Sequence, residues 1–227
     1  MLSGEEVLKK AGKYDFEAVK EYLEQGGDAE VFDRGGNSLL SALLRGYYTE
    51  IFENDPDEIR FYAEHEEYSD EWRNHVFRYC RMPLEERPHP IRDQVEWLIG
   101  KGIGVNAVGW KEARQFQKFA PSVESPLMHA VEHRDYCMIK FLLENGADPC
   151  QRLFTDGFYD DLGYEPWLVE HMDVMIMDED AGDSMMLDLE IASLLMHYGL
   201  DQWEGGLCID VDKENRSICG HGLRLQH

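Results

Sequence analysis

Two histidines are spaced so that they could bind one metal ion. His129 and His133 are four residues apart in a segment whose apolar residues recur at helical spacing, so both side chains would lie on one helix face. A zinc site needs further protein ligands, and no Glu-x-x-His companion follows this pair. We therefore predict that both histidines are structural and that the protein has neither a metal nor a cofactor.

A second candidate for cation binding lies near the end of the sequence. The stretch DVDKEN (210–215) begins like a calcium-binding loop. It lacks the central glycine of such loops, and the position that should hold a glutamate is His221. This resemblance is too weak to predict a calcium site.

The same region predicts a β-hairpin with a cysteine on each strand. Residues alternate in polarity on both sides of a Lys-Glu-Asn turn, and Cys208 would lie opposite Cys219 if the turn centred on Lys213 and Glu214. A disulfide or a zinc site would fit there. Two buried thiols are the favoured interpretation, since five scattered cysteines are typical of a protein from a reducing compartment.

The sequence has no recognisable catalytic motif. It contains no phosphate-binding glycine loop, no nucleophile-elbow serine and no cysteine with a base at a known spacing. The stretch GKGIG (100–104) falls where a helix is expected to end, and pairs of carboxylates mean little in so acidic a chain. We therefore expect no enzymatic activity.

Charge is the most unusual property of the composition. The 227 residues include 46 acidic and 22 basic side chains, for a formal net charge of −24. Such a chain repels nucleic acid and anionic membranes and attracts basic proteins, although the excess could also serve solubility alone. With no signal-like or membrane-spanning apolar stretch in view, we expect a cytoplasmic protein.

A repeated pattern indicates which elements must position any binding surface. The stretch YCMIKFLLENGADPCQR (136–152) has a helical apolar stripe that ends at a glycine, and three weaker copies occur elsewhere. The glycines that would end the four helices in a left-handed conformation are Gly26, Gly102, Gly146 and Gly199. Ser38 and Ser125 precede further apolar stretches as helix caps, the second followed by Pro126.

These segments resemble ankyrin repeats. The family pattern of a turn, Thr-Pro-Leu-His, two helices and a closing Gly-Ala-Asp is matched by the following residues: Ser125, Pro126, Leu127, Ala130, Ile139, Leu142, Leu143, Gly146, Ala147 and Asp148. Met128 occupies the family's histidine position and His129 comes one place later. This departure puts the usual turn-stabilising hydrogen bond of that histidine in question.

The resemblance implies an all-α, ankyrin-like solenoid of about four irregular repeats with a small C-terminal β-hairpin cap. The capping glycines lie farther apart than the family's period of about 33 residues, which indicates insertions. We predict a repeat domain over 1–204, with a helical insertion near 49–92 and an acidic insertion near 177–187, and a hairpin cap over 205–227. A degenerate fifth repeat within 49–92 is the alternative.

The resemblance also implies a function, because ankyrin proteins generally bind partner proteins through their turn tips and first helices. By position, the candidate contact residues are Asp33, Arg34, Asn37, Trp110, Lys111, Asp156, Phe158, Tyr159, Asp160, Asp161, Asp178, Glu179 and Asp180. One hypothesis is an antagonist of a basic protein such as a toxin domain, since the chain resembles ankyrin-type bacterial immunity proteins. The others are a general scaffold or regulator and, least favoured, an enzyme built on helical repeats.

Overall fold

The computed structural model describes residues 2–53, 81–87, 90–116, 123–151 and 183–200, together with two strands at 209–212 and 217–220. This part of the chain is mainly helical, as predicted. Its helices are α1 (Gly4–Ala11), α2 (Phe16–Glu24), α3 (Leu39–Tyr48), α4 (Ile91–Gly100), α5 (Trp110–Phe116), α6 (Pro126–Glu132), α7 (Tyr136–Glu144) and α8 (Asp183–His197). A π-helical turn spans Thr49–Glu53 and a 3-10 turn spans Leu84–Glu86.

Side-chain caps fix where these helices begin. Ser3 forms a capping box with Glu6 at the start of α1, and Asp15 accepts a hydrogen bond from the Ala18 amide at the start of α2. Ser38 and Ser125 cap α3 and α6 in the same way, as the sequence predicted. Each cap satisfies one of the amides that a helix start leaves without a partner.

The helices pack in pairs, and the first helices of successive pairs contact one another. Helix α1 packs against α2 and α6 against α7, while α3 contacts both α1 and α6. The second helices also meet, since α7 contacts α8 and the ring of Phe16 on α2 lies edge-on to Trp97 on α4. One continuous hydrophobic core therefore runs through the pairs.

Glycines end the helices as the sequence predicted. Gly26, Gly102, Gly146 and Gly199 have φ angles of 83°, 92°, 87° and 110°, which lie in the left-handed region. The chain then turns away from the helix axis.

Gly46 has a different role, because it lies inside α3 where the helix meets the end of α1. A Cβ atom there would lie 2.6 Å from the Ala11 carbonyl oxygen and 2.7 Å from the Tyr14 amide nitrogen. The absent side chain lets the two backbones touch.

The insertions are only partly as predicted. The stretch 49–92 begins with the π-helical turn and ends inside α4, which starts at Ile91, whereas its proposed extra helices or fifth repeat at 54–80 lie outside the described residues. The predicted acidic insertion near 177–187 lies outside the described residues up to 182, and its last residues, 183–187, belong to α8. Helix α8 therefore begins earlier than the sequence pattern that ends at Gly199 indicated. Once a helix has formed over an apolar stretch, adding residues at its end costs little, so it can extend into the acidic residues before that stretch.

The C-terminal strands β1 (Ile209–Asp212) and β2 (Ser217–Gly220) pair antiparallel. Their register places Cys219 opposite Asp210, so the condition under which Cys208 would lie directly opposite Cys219 is not met. The observed register is one residue away from the one in which the two cysteines would pair, and such a shift changes every cross-strand partner. A role for the hairpin as a cap remains a prediction.

Among the helices described, none is long and apolar enough to cross a membrane.

Candidate functional site

The turn before α3 is shaped by one aspartate. The carboxylate of Asp33 accepts hydrogen bonds from the Gly35 amide at 2.8 Å, from the Asn37 amide at 2.9 Å and from the Asn37 side-chain nitrogen at 2.9 Å. Phe32 and Ser38 form an isolated β-bridge across its base. These bonds fix the turn in one conformation before any partner binds.

This first turn is joined directly to a second one, between α4 and α5. The Gly109 amide donates to the Gly36 carbonyl at 2.8 Å, and Asn37 forms an isolated β-bridge with Val108. Gly36 has a φ of 82°, and a Cβ atom on it would lie 2.7 Å from the Gly109 carbonyl oxygen. Only glycine permits this approach of the two turns.

The second turn is also hydrogen-bonded to a third turn, which follows α7. The side-chain amide of Asn106 donates to the Gly146 carbonyl at 2.8 Å and accepts from the Asp148 amide at 2.9 Å. The Gln151 side chain donates to the Asn106 carbonyl at 2.7 Å. Three turns that are far apart in sequence therefore form one hydrogen-bonded row, which we call the turn row (33–37, 104–109 and 146–151).

An additional helix extends the turn row. Helix α5 follows Gly109 directly and packs through Ala113 onto Val123 and Met128, in a small cluster separate from the main core. Trp110 lies partly buried against this cluster, and the guanidinium of Arg114 lies 6.0 Å from its ring centroid. The sequence identified Trp110 and Lys111 as tip residues but did not predict the helix that carries them.

The predicted contact residues are placed as follows. In the first turn Arg34 is exposed and Asp33 is partly buried, and on α5 Lys111 is exposed. Asn37 is only 4% exposed, and its side-chain nitrogen donates to Asp33. In the free protein it therefore helps to shape the turn. Those outside the described residues are Asp156, Phe158, Tyr159, Asp160, Asp161, Asp178, Glu179 and Asp180.

A charged cluster that the sequence did not predict lies between α3 and α6. Arg45 on α3 reaches the carboxylates of Asp33 at 3.6 Å and Glu124 at 3.7 Å. His129 on α6 lies between Glu124, 3.5 Å from its Nε2, and Glu132, 3.5 Å from its Nδ1. We call these five residues the Glu124–His129 cluster. The position of His129 one place after the family's histidine was the available signal for the histidine, whose contacts Glu124 and Glu132 lie in its own repeat. Only Arg45 and Asp33 come from another repeat.

The family's histidine position itself is occupied differently in two repeats. Met128 holds it in α6 and packs in the small apolar cluster around α5. The equivalent position of α3 is Ser41, whose hydroxyl donates to the Glu124 carbonyl at 2.9 Å. A hydrogen bond from this position to the next repeat is therefore present at α3 and replaced by apolar contact at α6.

A second charged group is buried near the connection between α6 and α7. Arg87 donates to both carboxylate oxygens of Asp135, at 2.5 Å each, and the Tyr48 hydroxyl donates to the same carboxylate at 3.0 Å. Burial raises the pKa of the Tyr48 hydroxyl well above its usual value, and the Asp135 charge adds to this effect. Burial also lowers the pKa of His133, whose ring stacks on Tyr48 with centroids 4.2 Å apart.

The arrangement of histidines supports no metal site in the residues that the structure describes. Nδ1 of His133 lies 2.9 Å from the carbonyl oxygen of His129, while the His129 ring lies between two glutamates. No group of three or more His, Cys, Asp or Glu side chains suited to a metal occurs in this part of the chain.

Comparison with known proteins agrees with the geometry on one segment. Residues 124–151 match the ankyrin repeat family model. They comprise α6, α7 and the third turn of the turn row, the same residues whose pattern carried the resemblance. Searches of curated proteins and of solved structures each gave no match. Ankyrin repeats are protein–protein interaction modules and are generally not enzymes, so this segment indicates a role in binding proteins.

Proposed function

We propose that the protein is a non-catalytic protein-binding module whose turn row is part of the contact surface. The observation that carries this proposal is the hydrogen bonding of three turns into one row, from Asp33 through Gly36, Gly109 and Asn106 to Gly146. A surface already ordered in the free protein loses little conformational entropy on binding. Trp110 supplies an aromatic side chain beside this row, of the kind enriched at interface centres.

The architecture that we propose is an ankyrin-like solenoid of about four irregular repeats. The contacts of α1 with α3 and of α3 with α6 support the stacking of three pairs, with α8 belonging to a fourth. In this arrangement the β-hairpin would cover the exposed end of the last repeat.

The partner that we propose is a basic protein, and the favoured class is an antagonist such as an immunity protein that holds a basic toxin domain in the cytoplasm. The support is charge. Residues 152–182 alone include nine acidic residues and one arginine, and they directly follow the third turn. A general scaffold or regulator, for which the acidity serves solubility, is the alternative.

Capture of partners on the immobilised protein, followed by mass spectrometry, tests the binding function. We expect Trp110→Ala to reduce capture of the main partner by at least about tenfold, since central aromatic side chains commonly contribute this much. Trp97→Ala is the matched control, because Trp97 is also half-buried but lies on the second-helix side, against Phe16 and Lys101. Equal effects of the two variants would remove the support for the turn row.

Ionic strength distinguishes the basic partner from the general scaffold. Replacing Asp156, Asp160 and Asp161 with asparagine should slow association at low salt and have less effect at high salt, because surface charges act mainly on the rate of encounter. Replacing Phe158 and Tyr159 with alanine should instead speed dissociation at all salt concentrations. An affinity that responds neither to salt nor to the aspartate variants would favour the scaffold.

A further inference from the structure

The turn that ends α7 contains the only Asn-Gly sequence of the chain, at Asn145 and Gly146. Both residues are exposed to solvent. An asparagine loses ammonia when the backbone nitrogen of the next residue attacks its carboxamide carbon, and glycine hinders this attack least because it has no side chain. In the unfolded chain, Asn145 is therefore the asparagine that is most easily converted to an acid.

The reaction takes two steps and needs only water. The nitrogen of Gly146 gives its proton to solvent and bonds to Cγ of Asn145, while the side-chain nitrogen takes up a proton and leaves as ammonia. Water then opens the cyclic imide at one of its two carbonyl carbons. Opening at the side-chain carbonyl gives aspartate, and opening at the backbone carbonyl gives isoaspartate, in which the main chain runs through Cβ. Either product carries one more negative charge than asparagine.

The folded protein holds both reacting groups in hydrogen bonds. The Gly146 amide donates to the Leu143 carbonyl at 3.0 Å, and the side-chain nitrogen of Asn145 donates to the Phe141 carbonyl at 2.8 Å. The first bond occupies the attacking N–H group, and the second holds the carboxamide against the preceding turn of α7. Because the reacting atoms must approach in a suitable orientation, this end of the helix has to open before the reaction can start.

The second turn of the turn row opposes the same opening. Asn106 donates to the Gly146 carbonyl at 2.8 Å and accepts from the Asp148 amide at 2.9 Å, from a position 40 residues before Gly146. These bonds hold the two peptide groups that follow Gly146. They must therefore break, or stretch considerably, when the end of α7 opens.

We propose that Asn145 is a deamidation site whose reaction is limited by opening of the third turn and slowed by the turn row. Isoaspartate adds one methylene to the main chain just before Gly146, which removes the geometry of the bonds to Leu143 and Asn106. Modification thus detaches the third turn from the second. Its effect on binding rests on the proposed function, because it takes one of three turns out of the contact surface.

The test follows the modification by peptide mapping of the full-length protein, aged at pH 7.5 with and without denaturing guanidinium chloride. Trypsin releases residues 141–152, in which Asn145 is the only asparagine. We expect Asn145 to react in the unfolded chain and at least about tenfold more slowly in the folded protein, because several hydrogen bonds must break first. Equal rates, or an unfolded chain that does not react, would overturn the proposal.

Variants distinguish opening of the turn from unfolding of the whole protein. Asn106→Ala should speed the reaction of the folded protein by about fivefold or more and leave the rate in denaturant unchanged. Gln151→Ala removes only the donation to the Asn106 carbonyl and should act in the same direction to a smaller extent. Leu23→Ala is the control, because it weakens the core at α2 and should not speed the reaction. No acceleration by Asn106→Ala, or equal acceleration by Leu23→Ala, would contradict the role of the turn row.

Capture of partners tests the consequence for binding. Protein aged in denaturant and refolded is separated by its extra negative charge, and the isoaspartate form should capture the main partner at least about threefold less well than the parent. Asn145→Asp carries the same charge on an ordinary main chain and should lose less, so an equal loss would contradict detachment of the turn. If the isoaspartate form captures as well as the parent, this consequence fails while the proposed function stands. If capture yields no partner, the proposed function fails, and the rates of modification still decide the site.

Discussion

Arg87 and Asp135 form a buried ion pair in which the guanidinium donates to both oxygens of one carboxylate, with the two side chains 0% and 1% exposed. Burial alone would lower the pKa of Arg87, but the hydrogen bonds to Asp135 raise it above its usual value. Asp135 also caps α7 by accepting from the Met138 amide at 3.0 Å. One carboxylate thus fixes both a helix start and the segment 81–87, which we call the strap.

Arg87→Met should strongly destabilise the protein. The substitution leaves the Asp135 carboxylate buried without its cation, which costs about 3–5 kcal/mol in comparable sites. Arg92→Met is the control, because Arg92 pairs with Glu85 at the surface and should change the free energy of unfolding by less than about 1 kcal/mol. Urea denaturation measures both, and similar midpoints for the two variants would contradict the role of Arg87.

Gly46→Ala should destabilise the protein even though alanine is the better helix former. The new Cβ would collide with the backbone of Ala11 and Tyr14, and overpacking of this kind costs about 1–3 kcal/mol. At Gly100, in the last turn of α4, a Cβ would meet nothing within 4 Å, so Gly100→Ala should be neutral or stabilising by up to about 1 kcal/mol. In thermal unfolding, the melting temperature of Gly46→Ala should therefore fall, and that of Gly100→Ala should stay the same or rise. A stabilising Gly46→Ala would mean that α1 and α3 do not touch there.

Leu142→Ala should test the packing of the ankyrin segment. Leu142 is fully buried on α7, and truncation of a buried leucine costs about 2–5 kcal/mol. Leu23→Ala on α2 is a useful comparison, since Leu23 is only partly buried and should lose about 1 kcal/mol. An unchanged denaturation midpoint for Leu142→Ala would contradict the repeat assignment.

The partly buried His133, which stacks on Tyr48, should make stability fall in mild acid. Because the pKa of His133 is lowered in the folded protein, the unfolded chain binds a proton more readily below its usual pKa of about 6.5. The contribution of His133 is therefore complete above that pH and is lost as the pH falls toward the folded-state pKa. His133→Phe keeps the ring stacking and removes the titration.

Denaturation of the parent and His133→Phe at pH 7.5 and pH 5.5 should show a smaller loss of stability in the variant. Equal losses would mean that His133 is protonated as easily in the folded protein as in the unfolded chain.

Removal of metal ions should leave the protein unchanged. The rings of His129 and His133 do not converge, so excess EDTA should not shift the melting temperature. A clear decrease in melting temperature would indicate a metal site that includes residues outside the described part of the chain.

Local patterns were sufficient to predict several elements of the fold. Ser125 and Pro126 mark the start of α6, and the left-handed φ of Gly146 follows α7, because caps and glycine stops depend on neighbouring residues. Asp33 was also correctly placed in a turn, since its bonds reach only two to four residues along the chain.

Features that depend on distant partners could not be predicted. Arg87 stands in a proline-rich break, and nothing near it in sequence shows that its partner lies 48 residues away. Likewise, Asn37 is suited to an exposed turn by type and is buried only because the second turn bonds to the first at Val108. The Glu124–His129 cluster needs α3 and α6 to be neighbours, which the inserted residues between them conceal.

The strap also bears on how the protein unfolds. Besides Arg87, it carries Arg81, whose carbonyl accepts from the Cys137 thiol on α7 and whose side chain pairs with Glu190 on α8. In a simple repeat array each unit touches only its neighbours, so terminal units can fray independently. Because Arg87 also donates to the Tyr47 hydroxyl of α3 at 3.4 Å, the strap binds α3, α7 and α8 together, and these helices should open in one event. Hydrogen exchange in these three helices should then occur with similar protection, which would make this part of the molecule a single cooperative unit.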